Sequence, residues 1–217
     1  MKKLKDMKFL NFSTKELMNK ANTFKNDYIN AKPFSHIVLD NFFNEKSLDL
    51  LIENFPKNNS EYNGQFNNKN EKKLSLNNPN QFSDENNNFI NFLNSFIFTN
   101  FLQTITNINE ALIPDPYHLG GGLHELKNNG YLNIHADFNI HPKMKLDRRL
   151  NVLIYLNKNW SDANGGQLEL WNKEMTKCCK SIIPKFNRMV IFSTTTFSYH
   201  GNPNKVKCLE DTSRKSL

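Results

Sequence analysis

Two histidines and an aspartate stand out in this chain, arranged as His135-Ala136-Asp137 with His200 far downstream. Two imidazoles and one carboxylate, with no fourth protein ligand in view, suit a non-haem Fe(II) centre that keeps positions open for a co-substrate and O2. Alternate residues of a strand project from the same side of a sheet, so His135 and Asp137 can grip one ion together. His200 must then arrive on another strand. A histidine two residues before an aspartate is common by chance. Read singly, His135 is a polar strand residue and Asp137 a turn former. A second pair at i and i+2, the cation and hydroxyl of Arg214 and Ser216, adds weight to the metal reading.

The bulk numbers bound what such a site can belong to. At 217 residues the chain is long enough to bury one core and is read as a single domain over residues 1–217. The net charge of +7 comes from scattered lysines, with a cluster in residues 1–5. No basic stripe is interleaved with exposed aromatics, so nucleic acid is not expected as a partner, although an acidic substrate would be favoured. The three cysteines, Cys178, Cys179 and Cys208, argue against a disulfide framework and suit a reducing cytoplasm. No secretory leader and no apolar run long enough for a membrane span is present. The sequence therefore predicts a soluble cytoplasmic protein and leaves its oligomeric state open.

The elements that must position the site fall into two parts. Residues 1–114 read as a helical support with a strand entry at 33–40. An amphipathic helix follows over 44–55, marked by Leu48, Leu51, Ile52 and Phe55 and stopped by Pro56. Residues 57–83 are rich in Asn and Lys without periodicity and are expected to form a mobile surface loop, either a passive insertion or a cover over the site. Residues 83–108 predict one helix whose Phe-rich stripe packs against a sheet. From 115 to 217 the pattern changes to short strands separated by Gly, Asn and Pro turns.

In residues 131–137, Tyr131, Asn133, His135 and Asp137 are expected on one face. In residues 149–157, Leu150, Val152, Ile154 and Leu156 oppose Arg149, Asn151, Leu153 and Tyr155. Gly120-Gly121-Gly122 lacks the strand-to-helix setting of a phosphate cradle and reads as a turn. The predicted fold class is α+β, mainly β: a double-stranded β-helix, or jelly roll, with N-terminal helices packed outside.

These blocks also carry a resemblance. His135-Ala136-Asp137, Leu153-Ile154-Tyr155-Leu156-Asn157, Gly165-Gly166-Gln167-Leu168-Glu169-Leu170, Arg188-Met189-Val190-Ile191-Phe192, Ser198-Tyr199-His200 and Arg214, in that order, resemble the 2-oxoglutarate/Fe(II) oxygenase superfamily. The prolyl-4-hydroxylase-like branch is the nearest in pattern. The resemblance covers residues 115–217, with a weaker echo at 33–56. It implies iron on His135, Asp137 and His200, and the distal carboxylate of 2-oxoglutarate on Arg214, whose guanidinium can bind it bidentately. Tyr155 is implied as a hydrogen-bond donor to the same carboxylate, with Ser216 assisting and Arg149 as the next candidate anchor.

The implied reaction is hydroxylation of an unactivated C–H bond, with O2 consumed and 2-oxoglutarate converted to succinate and CO2, and with ascorbate as a reductant. The implied substrate is a peptide or protein, with a small molecule as the alternative. Two departures stand out: His124-Glu125-Leu126 occupies a region where the hydroxylases often carry a tyrosine, and the sequence ends at Leu217 where the family has a further strand, which predicts a weakly closed barrel edge.

Two rival readings stand beside this one. A cupin-like protein could hold Zn or Mn without oxygenase activity, but it would need no carboxylate anchor at Arg214. A non-catalytic module could bind an acidic partner through its basic surface, but the intact His, Asp, His and Arg set argues against a decayed pocket. His118 and His141 are read as non-ligands and His36 as structural. Arg148, Arg149 and Arg188 are read as salt-bridging or strand-end residues, and Trp160 and Trp171 as packing groups.

Overall fold

The computed structural model describes residues 8–209 and 212–217; the lysine cluster at residues 1–5 lies outside them. Four helices precede the sheet-rich half. The first, α1 (Thr14–Asn30), starts at a capping box in which Ser13 Oγ accepts from Glu16 N and the Glu16 carboxylate accepts from Ser13 N. α2 (Glu45–Glu53) starts at Asn44, whose side chain accepts from Ser47 N. The helix expected over 83–108 is in fact two, α3 (Asp84–Leu93) and α4 (Phe96–Thr106). Ser95 ends the first and caps the second by accepting from Phe98 N. Serine favours such a cap over a helix interior, and the apolar stripe on both sides hides the break in the sequence.

Eleven strands among the described residues form one curled antiparallel sheet. They are β1 (His36–Asp40), β2 (Gly64–Asn67), β3 (Glu71–Leu76), β4 (Leu123–Leu126), β5 (Tyr131–His135), β6 (Leu150–Tyr155), β7 (Leu168–Trp171), β8 (Cys178–Ile182), β9 (Arg188–Ser193), β10 (His200–Asn202) and β11 (Arg214–Ser216). The order is β1-β9-β6-β11-β4-β3-β5-β10-β7-β8, with β2 paired to β3. The first and last parts of that order fold onto each other: Tyr155, Val190 and Phe192 pack against Leu168, Leu170 and Ile182.

The helices cover the other side. Leu17, Ala21, Tyr28, Phe89, Phe98 and Phe101 join Ile37, Leu39, Ile154, Met189 and Ile191 in one continuous core. The expected mainly-β architecture, with helices packed outside, is what forms. β9 shows why its sequence is almost unbroken in apolar residues: Met189 and Ile191 face the helices while Val190 and Phe192 face inward, so both faces are buried. β6 keeps the expected alternation, with Leu150, Val152 and Ile154 toward the helices and Leu153 and Tyr155 inward.

Two expectations are corrected. Residues 57–83 are not a structureless loop but contain the β2–β3 hairpin. β3 bridges the two halves of the sheet, pairing Leu74–Leu76 with Leu123–Glu125 of β4 and Glu71 and Lys72 with Leu132 and Tyr131 of β5. Polar strand residues and Asn-rich turns gave it no apolar alternation to read. The barrel edge at the C-terminus is also not open, because β11 is flanked by β4 on one side and β6 on the other. Leu217 N and O both bond to Ile154 across that joint, at 2.9 and 3.0 Å.

Leu76 of β3 is buried in the core shared with the helices. Leu76→Ala is therefore expected to cost about 2–5 kcal/mol in urea-unfolding stability, whereas Gln65→Ala on the exposed β2 should stay within about 0.5 kcal/mol. A passive insertion would show no difference between the two variants.

Candidate metal centre and co-substrate pocket

His135, Asp137 and His200 come together as the sequence predicts. One ligand atom from each lies within 4.8 Å of the other two. His135 ends β5 and His200 begins β10, and the two residues are direct partners across that antiparallel pair. Each imidazole is oriented in the same way: His135 Nδ1 hydrogen-bonds the Asn133 carbonyl and His200 Nδ1 the Ser198 carbonyl, both at 2.9 Å. A carbonyl can only accept, so these bonds place the proton on Nδ1 and leave Nε2 with its lone pair toward the cluster. Both Nε2 atoms face Asp137, each 3.5 Å from one of its oxygens. Phe192 packs against His200 with ring centroids 4.6 Å apart.

The alternation expected in residues 131–137 fails in one respect. His200 pairs with His135 but Asn202 pairs with Leu132, so the register slips by one residue along β5. Such a slip reverses the parity of side chains on either side of it. Leu132 thus lines the cavity with His135, while the Tyr131 hydroxyl and Asn133 amide donate to the Asn68 and Lys69 carbonyls near the hairpin turn.

The electrostatics suit metal binding. Burial pushes the His200 imidazole down to about 4, so it is neutral at ordinary pH. Burial acts in the same direction on His135 and is the largest single effect there, but the Asp137 carboxylate and the bond to the Asn133 carbonyl together outweigh it and raise its pKa. Burial would raise Asp137, yet its bonds to the two histidines, Arg148 and Asn151 hold the carboxyl well below the usual carboxylate range.

Asn151 and Arg148 are the supporting residues that the sequence reading left out of the site. Asn151 Nδ2 donates to Asp137 Oδ2 at 2.5 Å, and Arg148 donates to Asn151 Oδ1 while lying 3.4 Å from the same carboxylate. The alternation of β6 already put Asn151 on the face of Tyr155, which was the available signal.

Arg214 is the second feature. It is 4% exposed; its Nε donates to the Gly166 carbonyl at 2.8 Å, and its guanidinium stacks on the Tyr155 ring at 4.9 Å. Among the described residues no carboxylate pairs with it. Burial lowers its pKa and raises that of Tyr155, with each opposing the other's shift. Gly166 makes the placement possible: its φ is +65°, and a Cβ there would lie 2.9 Å from Arg214 Cδ. Ser216 sits directly opposite Tyr155 on one side and His124 on the other, so Tyr155, Ser216, His124 and Ser75 form a row across β6, β11, β4 and β3.

A cavity of about 120 Å³ joins the cluster and Arg214, and is also lined by Lys73, Gly120 and His124. Burial, reinforced by Lys73 and Arg214, pushes His124 down to about 4. His124 stands in the region where the sequence comparison missed a tyrosine, and Lys73 was hidden by the unrecognised hairpin.

The other candidates lie elsewhere, as expected. His141 is 3.2 Å from Asp115, His118 stacks on Phe82, and His36 Nδ1 bonds the Phe34 carbonyl. Arg149 pairs with Glu110 and Arg188 with Asp40. Trp160 and Trp171 are tied to Gly165 and Glu169.

Residues 121–217 match the model of the 2OG-Fe(II) oxygenase superfamily. The likeness to that superfamily therefore lies in the C-terminal part of the chain. A Xenopus laevis prolyl 3-hydroxylase is 25% identical over 193 residues, covering 84% of this chain. The chain spans about a third of the length of that relative, 34%. The fold is shared with a Trichoplax adhaerens prolyl hydroxylase (TM-score 0.60, 19% identity, 95% of this chain and 91% of that one). It is shared also with a Pseudomonas putida prolyl-4-hydroxylase (TM-score 0.59, 15% identity, 90% and 95%) and with a Phytophthora capsici prolyl 4-hydroxylase (TM-score 0.58, 16% identity, 98% and 67%).

The donor set fits the Fe(II) this family implies, and the buried, carboxylate-free Arg214 fits an anionic co-substrate. Asn151→Ala removes a hydrogen bond that orients the ligating carboxylate, so metal affinity should fall about 10–100-fold with the fold retained. Because His200 is neutral above about pH 4 while the pKa of His135 is raised, one proton competes with metal between those two values. Apparent Mn(II) affinity should thus fall by about tenfold per pH unit lowered in that window, as read by calorimetry.

Proposed function

We propose that this protein is an Fe(II)- and 2-oxoglutarate-dependent dioxygenase, prolyl-4-hydroxylase-like, that hydroxylates an unactivated C–H bond and releases succinate and CO2. One observation carries the reading: a buried arginine with no carboxylate partner among the described residues lines the same cavity as an open two-histidine, one-aspartate cluster. A metal-binding cupin without oxygenase activity has no use for that cation.

In this reading His135, Asp137 and His200 hold iron, which supplies O2 activation when bound. Arg214 and Tyr155 bind the distal carboxylate of 2-oxoglutarate, and the buried guanidinium fixes the orientation of the co-substrate. The apolar walls, including Leu132, Leu153 and Leu168, keep water from the reacting carbon. Asp137 stays ionised, His200 stays neutral and His135 gives up its proton on binding the metal, so the chain's residues supply charge and position, and no general base is needed for C–H cleavage.

A peptide substrate is the favoured class, supported by the prolyl 3-hydroxylase relative; a small molecule is the alternative. Ascorbate would serve as a reductant. No helix among the described residues is long and apolar enough to cross a membrane. The free cysteines suit a reducing cytoplasm.

His135→Ala or Asp137→Ala should abolish metal binding and succinate formation while leaving the melting transition nearly in place. Arg214→Ala should weaken 2-oxoglutarate by about 2–5 kcal/mol with metal binding retained, and Tyr155→Phe by about 1–2 kcal/mol. Parent rates of succinate release in either metal-ligand variant, measured by mass spectrometry, would refute the assignment.

A further inference from the structure

The cavity lining holds three cations, Lys73, Arg148 and Arg214, against one carboxylate, Asp137. Arg148 is committed to Asp137 and Asn151, and Arg214 to the Gly166 carbonyl and Tyr155. Lys73 is committed to neither group. It comes from β3, the bridging strand, and the direction of its side chain follows from the register. Ser75 lies directly opposite His124, whose ring lines the cavity, and Lys73 is two residues from Ser75 and so on the same face. Phe66 is directly opposite Lys73 on β2, and Glu71 is two residues before it. Phe66, Lys73 and Glu71 thus share one face of the hairpin, with Lys73 lining the cavity and the other two beside it.

Lys73 Nζ lies 3.0 Å from Glu71 Oε2 and 5.2 Å from the Phe66 ring centroid. Both members of the ion pair are 20% exposed, and both belong to one strand. A half-solvated pair of this kind holds its partners loosely, so an incoming anion can take the place of Glu71. The long stem of lysine lets the ammonium follow that anion. The lining that Lys73 shares with the cluster includes Leu132, an apolar surface against which the carbon chain of a substrate can lie without losing hydrogen bonds.

We propose that Lys73 is a specificity-determining residue, selecting a primary substrate that carries a carboxylate close to the carbon to be hydroxylated. The inference rests on the oxygenase reading above. The carboxylate can be an acidic side chain of a peptide or the free main-chain carboxylate of a small acid. Phe66 stacks beside the ammonium and limits its swing, and the ammonium itself repels substrates that bring a second cation to the same place.

The test is calorimetry on the full chain under anaerobic conditions with Fe(II) and 2-oxoglutarate. The probes are blocked proline peptides with aspartate, asparagine or lysine beside the proline, together with free proline and prolinamide. The parent should bind either the aspartate peptide or free proline at least tenfold more tightly than its uncharged counterpart, and whichever shows the preference identifies the source of the carboxylate. Lys73→Gln should remove the preference while leaving 2-oxoglutarate affinity within twofold, and Lys73→Glu should turn it toward the lysine peptide.

Equal binding of charged and uncharged probes by the parent overturns the proposal. A loss of 2-oxoglutarate binding in Lys73→Gln also overturns it, by assigning the residue to the co-substrate. If the parent itself binds no 2-oxoglutarate, the oxygenase reading falls and the proposal with it. If the parent binds 2-oxoglutarate but shows no charge preference, the proposal fails alone.

Discussion

A half-buried carboxylate is the constraint around which this site is built. Asp137 is well below half exposed, and an ionised carboxylate in such a place is stable only when its oxygens are partnered. Its partners come from four places in the chain: His135 beside it, His200 on β10, Asn151 on β6 and Arg148 just before β6. Each also contributes to the cavity lining. The groups that keep Asp137 charged are therefore the ones that shape the metal site. Removing any of them both weakens the ion-binding charge and leaves a polar group without its partner.

The curled sheet makes that convergence possible. Its two halves contribute opposite walls, with β6, β11 and β4 on one side and β5, β10 and β7 on the other. β3 spans the seam between β4 and β5. The helices stabilise the half that carries Arg214 and Tyr155 from outside, through the same core that holds Ile154 and Leu217. Arg214 and Tyr155 therefore sit on a wall backed by packed apolar side chains, while the Lys73 side of the cavity is bounded by a two-stranded hairpin with exposed residues. A rigid wall and a more adaptable one follow from that difference.

The resemblance and the alternation of β6 both placed Tyr155 correctly in the interior, because a strand buried on both faces still sorts its side chains by parity. The same rule misplaced Leu132. A one-residue slip in β5 depends on how β10 pairs with it, and nothing in residues 131–137 records that pairing. The β2–β3 hairpin was unreadable for a related reason. Its strands carry lysines, asparagines and a serine, and they are held by ladder bonds to β4 and β5 more than by burial of their own side chains. Lys73 was invisible as a site residue for as long as its strand was.

The sequence by itself determined the ligand types, their i and i+2 spacing, the pairing of arginine with tyrosine, and the sandwich of helices on strands. The arginine–tyrosine pairing was implied by the resemblance, and the others are local patterns, set by side-chain chemistry and by the two-residue and 3.6-residue periods. The tertiary structure alone decided that His124, Asn151, Arg148 and Lys73 share the cavity with them. It also decided that Gly166 clears the space for Arg214 and that β11 is closed on both sides. Those outcomes depend on strand register and sheet curvature, which bring together residues far apart in the chain; apart from the parity of Asn151 on β6, they leave no trace in any single segment of it.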